Sequence, residues 1–155
     1  LFVGEGPGEE EDLQGRPFVG AAGQLLDRII EKMGLSREEV YIANVVKCRP
    51  PGNRDPQAEE VADCMPFLRR QIALLQPRVL VALGRVAATW LLGGEQRITR
   101  IRGKVFDFGG IPLLPTYHPS YILRQQGRDA VSKVKWEVWN DMQRALELSR
   151  EPVEG

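Results

Sequence analysis

The chain alternates short apolar runs with segments in which apolar residues recur every three to four positions, the pattern of strands feeding helices. Leu1–Val3 is apolar and meets Gly4-Glu-Gly-Pro-Gly8, a sharp turn. Ala21–Met33 carries Leu25, Leu26, Ile29, Ile30 and Met33 at helical spacing and stops at Gly34. Ser36-Arg-Glu-Glu39 has the form of a capping box over one short turn. Val40–Val46 is rich in β-branched residues and reads as a second buried strand. Arg49–Pro56 packs three prolines and a glycine into eight residues, which excludes regular structure. Helical periodicity returns over Glu59–Leu75, a third strand fills Pro77–Gly84, and Val86–Leu92 is a short helix. Lys104–Phe108 and Ile111–Thr116 pair as a hairpin about Gly109-Gly110. Ser132–Ser149 is a final helix with Val134, Val138, Met142, Ala145 and Leu146 on one face.

Strands alternating with helices imply a parallel sheet covered on both faces, an α/β domain in three layers. No repeat, linker or low-complexity segment divides residues 1–155, so one domain is expected. In such sheets ligands bind at the carboxyl ends of the strands. The segments that leave strands there are Gly4–Gly20, Asn44–Asn53 and His118–Arg128. The chain opens inside what reads as a strand, without a methionine, so an N-terminally truncated chain is expected.

At 43% hydrophobic and 27% charged residues the composition is that of a globular domain with room for a core. Neither a bilayer-spanning apolar run nor a signal-peptide pattern is present, so a cytoplasmic or nucleoid location is expected, with no membrane partner. Net charge is zero, but it is unevenly spread. Five acids and no base fall within the first twelve residues, whereas eight bases and two acids lie between Arg97 and Lys135. That asymmetry suits an acidic pocket beside a phosphate-binding surface; solvated loops account for it equally well.

Gly4–Asp12 is neither a Walker A loop nor a dinucleotide fingerprint, since no Gly-Lys-Ser/Thr follows and the glycine spacing is wrong. Its glycines let backbone approach a ligand closely, and its acids suit a cationic transition state or a bound Mg²⁺. Phe18, taken alone, is a core residue; between Gly15 and Gly20 it is also a candidate to stack on a flat ring. Asn44 interrupts an apolar strand, either bonded to a loop or reading the edge of a base. His118, the one histidine, precedes a proline after the last strand, which fixes it near the ligand end. Cys48 and Cys64 form no CxxC motif and read alone as a structural pair or two inert thiols.

Taken together, Gly-Glu-Gly-Pro-Gly…Gly-Arg-Pro-Phe-Val-Gly-Ala-Ala-Gly-Gln-Leu-Leu, Asn-Val-Val-Lys-Cys-Arg-Pro-Pro and His-Pro-Ser-Tyr-Ile-Leu-Arg resemble the family 4 uracil-DNA glycosylases. The resemblance spans almost the whole chain with its motifs in order. It implies a three-layer α/β/α sandwich about a central four-stranded parallel sheet. It also implies a monofunctional glycosylase, acting as a monomer, that removes uracil from DNA, releases the free base and leaves an abasic site.

In that likeness Phe18 stacks on the flipped uracil, Asn44 reads its edge, and backbone at Glu5 and Gly6 completes the pocket. His118 donates to the uracil oxygen, Glu5 and Glu11 stabilise the oxocarbenium-like sugar, and Asn53 assists. The segment headed by Ser120 enters the minor groove with Tyr121, Ile122 or Leu123 as wedge, while Arg124 and Arg128 hold phosphates. The resemblance further implies a [4Fe–4S] cluster on four cysteines, of which this sequence supplies Cys48 and Cys64. The expected second pair is a CxxC upstream of Leu1. A catalytically silent uracil- or DNA-binding relative is the second reading, and a metal-dependent nuclease built on Glu9–Asp12 the third.

Overall fold

Every strand run named above becomes a strand, and the odd and even residues of each go to opposite faces of one sheet. The computed structural model describes residues 1–4, 20–45 and 58–150, with backbone alone over 58–63. The strands are β1 (Phe2–Gly4), β2 (Ile42–Asn44), β3 (Leu80–Leu83), β4 (Phe106–Phe108) and β5 (Ile111–Thr116). The helices are α1 (Ala21–Lys32), α2 (Ala58–Leu75), α3 (Arg85–Leu92), α4 (Ile98–Ile101), α5 (Pro119–Leu123) and α6 (Arg128–Arg150).

The strand order is β2-β1-β3-β5-β4. The first four are parallel, as the alternating pattern requires, while β4 pairs antiparallel with β5 through the Gly109-Gly110 turn. The hairpin therefore adds a fifth, antiparallel edge strand to the four-stranded parallel sheet expected.

Two cores lie on the two faces of this sheet. On one, Phe2, Val81, Leu83 and Leu114 meet Leu26 and Ile30 of α1 and Val138 and Met142 of α6. On the other, Val3, Leu80, Ala82 and Leu113 meet Leu68 and Ile72 of α2 and Ala87 and Leu91 of α3. Side-chain alternation along β3 is what feeds both layers from one apolar run. The chain steps from β1 outward to β2, then back across β1 to β3, so the strand order reverses between β1 and β3. The crevice at their carboxyl ends is where an open α/β sheet binds its ligand.

Several boundaries differ from the sequence reading. Val40 caps the 3₁₀ turn Arg37–Glu39 and does not open β2; the Ser36–Glu39 capping box itself is present. The stretch after His118 is a short helix rather than a loop, because Pro119 takes the first helical position, where a missing N–H costs nothing. The final helix begins at Arg128, immediately after Gly127 in a left-handed conformation. Among the described residues no helix is long and apolar enough to cross a membrane.

Candidate active site at the carboxyl edge of the sheet

The two inner strands both end in glycine. Gly4 closes β1 and pairs in register with Asn44 at the end of β2. Gly84 follows β3, has φ of 94°, and donates its N–H to Thr116 O at 2.9 Å. Asn44 thus ends β2 and His118 lies two residues beyond β5, while between those strands β1 closes on Gly4 and β3 runs into Gly84. Three interstrand spacings, roughly 14 Å, separate β2 from β5.

Asn44 is buried, at 7% exposure, and its Oδ1 has no hydrogen-bond partner among the described residues. Leaving such an acceptor unpaired costs about 1–3 kcal/mol, so its retention at a ligand edge points to a donor that arrives with the ligand.

His118 is the N-cap of α5. Its Nδ1 accepts the backbone N–H of Ser120 at 3.0 Å and lies 2.7 Å from Ser120 Oγ. An Nδ1 that accepts an N–H carries no proton, so the proton of the neutral ring sits on Nε2. Ser120, expected at DNA, is here turned toward the histidine. Close packing fixes the ring's base as well: a Cβ on Gly84 would stand 3.1 Å from His118 Cβ. Gly84→Ala combines that contact with a left-handed φ. It is expected to lower any activity that depends on His118 about tenfold, measured as single-turnover rate.

Of the three wedge candidates the fold distinguishes one. Ile122 is 3% exposed and packs in the core, and Tyr121 stacks on Tyr117 with ring centroids 4.5 Å apart. Leu123 is 52% exposed. Arg124, the C-cap of α5, and Arg128, at the start of α6, are both exposed beside it. Glu5, Gly6, Glu11, Phe18, Cys48 and Asn53 lie outside the described residues, as does Glu9–Asp12.

A buried polar network behind His118 was not foreseen. Thr116 Oγ1 donates to Asp141 Oδ2 at 2.6 Å, and Arg102 donates to both Asp141 oxygens at 2.6 and 3.0 Å. Arg102 also pairs with Glu137 at 3.3 Å. Asp141 is 2% exposed, and burial raises its carboxyl above the usual range against the pull of Arg102 and Thr116. This network ties α6 to the end of β5 two residues before His118. Gly103 makes room for it, since a Cβ there would stand 2.6 Å from Asp141 Oδ1. Arg102, one of the eight bases counted toward a phosphate surface, is committed to this internal network. The overlooked signal is Asp141 itself, an acid on the apolar face of the last helix between Val138 and Met142.

Asp141→Ala strands a half-buried guanidinium and a buried hydroxyl. The expected loss is about 3–5 kcal/mol of stability. In thermal unfolding that lowers Tm by about 10 °C or more. Asp141→Asn, which keeps shape and one acceptor, is expected to lose less.

The described residues thus form an α/β domain that carries a buried amide and an Nε2–H imidazole at the carboxyl edge of its sheet. A family model described as "Uracil DNA glycosylase superfamily" matches residues 1–143. The type-4 uracil-DNA glycosylase of Thermotoga maritima is 53% identical over 131 residues, covering 83% of this chain and 68% of that protein. That of Sulfurisphaera tokodaii is 48% identical over 132 residues, covering 79% and 60%. A type-5 uracil-DNA glycosylase of Pyrobaculum aerophilum is 35% identical over 130 residues, covering 74% and 57%. The chain thus spans about two thirds or less of the length of these relatives. It belongs to the type-4 uracil-DNA glycosylase family.

Proposed function

We propose that this chain hydrolyses the N-glycosidic bond of uracil in DNA and leaves an abasic site, as the first step of base-excision repair in a prokaryotic cytoplasm. The observation that carries this reading is the buried Oδ1 of Asn44, without a hydrogen-bond partner among the described residues, at the same carboxyl edge of the sheet as His118. Uracil is the ring that matches it. Its N3–H donates to Asn44 Oδ1, while the amide NH₂ donates to O4. Cytosine offers no N3–H, and thymine carries a methyl group that a close-packed pocket rejects.

The flipped base then lies over the glycine-ended strands with Phe18 as its stacking face. The C1′–N1 bond breaks with its electron pair going to the base, and negative charge gathers on O2. His118 holds its proton on Nε2 and donates a hydrogen bond to that oxygen as charge builds. The sugar becomes oxocarbenium-like; Glu5 and Glu11 offset its positive charge and place the water whose oxygen bonds to C1′, and the proton that water loses ends on the departed uracil anion. Leu123 fills the space the base leaves, with Arg124 and Arg128 on the flanking phosphates. Gly6 and Asn53 complete the pocket wall.

Cys48 and Cys64 would supply two of the four thiolates of a [4Fe–4S] cluster, a group that would tie together the segments carrying its ligands. Cys64 is half-buried on α2, and Cys48 lies outside the described residues. Two thiols do not complete the set, and among the described residues no three His, Cys, Asp or Glu side chains gather at one place.

The test is cleavage of an end-labelled oligonucleotide with a single uracil, in EDTA, before and after alkali. Breakage only after alkali is the expected result. Breakage without alkali, or only with added Mg²⁺, overturns the reading.

A further inference from the structure

A second concave surface lies on the flank of the domain, away from the glycine-ended crevice. It is a groove of about 530 Å³ between α1, α5 and the first half of α6. Leu25, Ile29, Ile122 and Val138 form its floor, and Trp136 and Trp139, one helical turn apart, stand along one side. Trp136 is 64% exposed, an unusual cost for an indole that serves no packing role.

Arg28, Lys32 and Lys135 line the groove, and no acid does. None of the three has an ion-pair partner among the described residues. The nearest acids in sequence are Asp27, which is paired with Arg37, Glu31, and Glu137, which is paired with Arg102; none of them lines the groove. The charge is also continuous with the DNA-facing end of the fold. Exposed Arg124 ends α5, and exposed Arg128 at the start of α6 shares one helical face with the groove-lining Ser132 and Lys135, at i, i+4 and i+7. Only Asp129 interrupts them.

Stacking faces alternating with unpaired cations are the pattern that holds single-stranded nucleic acid without reading its sequence. We infer that this groove binds a single-stranded stretch of DNA flanking the lesion, with bases on Trp136 and phosphates on Arg28, Lys32 and Lys135. The inference rests on the DNA-facing role proposed for α5 and α6. It gives the protein a second hold on its substrate that does not pass through the uracil pocket. An acidic peptide of a protein partner is the competing occupant; the continuity of cations with Arg124 and Arg128 favours DNA.

The experiment uses fluorescence anisotropy of a labelled thymidine homopolymer, free of uracil, with the full chain. Trp136→Ala is expected to weaken binding about tenfold. Arg28→Glu with Lys135→Glu is expected to weaken it further and to flatten the salt dependence by about 0.7 log unit per lost phosphate contact. Cleavage of a uracil oligonucleotide too short to reach the groove is expected to stay at the wild-type rate in both variants, which also reports that they fold. Homopolymer binding equal to wild type in both variants overturns the inference. So does binding of a labelled poly-glutamate peptide that the variants lose while homopolymer binding is kept. Absence of cleavage by the wild-type chain would count against the glycosylase reading alone, because homopolymer binding needs no chemistry.

Discussion

His118→Ala is expected to slow uracil release by about 10²–10³-fold, with KM little changed. The reason lies in where the imidazole proton sits. The backbone N–H of Ser120 occupies Nδ1, so Nε2–H is the donor the neutral ring presents. That donor is strengthened by charge that develops only as the C1′–N1 bond breaks, so its loss falls on the chemical step rather than on capture. Single-turnover rates at saturating enzyme read that step directly. A large rise in KM with the rate preserved would mean instead that His118 serves only to bind. Ser120→Ala removes the hydroxyl 2.7 Å from Nδ1 while leaving the N–H in place, and a smaller loss, about tenfold, is expected there.

Asn44→Ala carries the second large effect, and its signature is a split between activity and stability. Two hydrogen bonds to uracil disappear, each net about 1–1.5 kcal/mol, so release slows by about 30- to 150-fold. The same change removes a buried acceptor that has no partner among the described residues. Its removal relieves a cost that folding alone does not repay, so Tm is expected to hold or rise. A structural asparagine would behave oppositely, losing stability along with rate. Measuring unfolding and single-turnover release on the same preparation separates the two roles.

How much of this was legible beforehand differs by element. The parallel sheet followed from β-branched runs separated by helical periodicity, and β3 shows why: Leu80–Leu83 is apolar at every position because both its faces are covered. The capping box at Ser36 and the turn at Gly109-Gly110 were readable because each rests on local chemistry that needs no partner elsewhere. Helix α5 was missed since five residues show no period; its start is set by Pro119 and by the His118 cap, visible only once the backbone has turned. The Thr116–Asp141–Arg102 network was missed because its members are far apart in sequence, and no local pattern marks an acid as buried.

The same limit applies to the site. Asn44 was marked as a polar residue inside an apolar run and His118 as one that follows a strand, both local signals. That they share one strand edge depends on strand order, with β1 and β3 inserted between their strands. Sorting Tyr121, Ile122 and Leu123 needed the packing of α5 against α1 and α6, which buries Ile122, stacks Tyr121 on Tyr117 and leaves Leu123 outside.

The direct measurement is chromatographic detection of free uracil released from a single-uracil oligonucleotide under single-turnover conditions, comparing the wild-type chain with Asn44→Ala and His118→Ala. Stoichiometric free uracil from the wild type, slowed at least about thirtyfold in each variant with folding intact, is the result expected of a base held between these two side chains. Free uracil released at wild-type rate by either folded variant would contradict it.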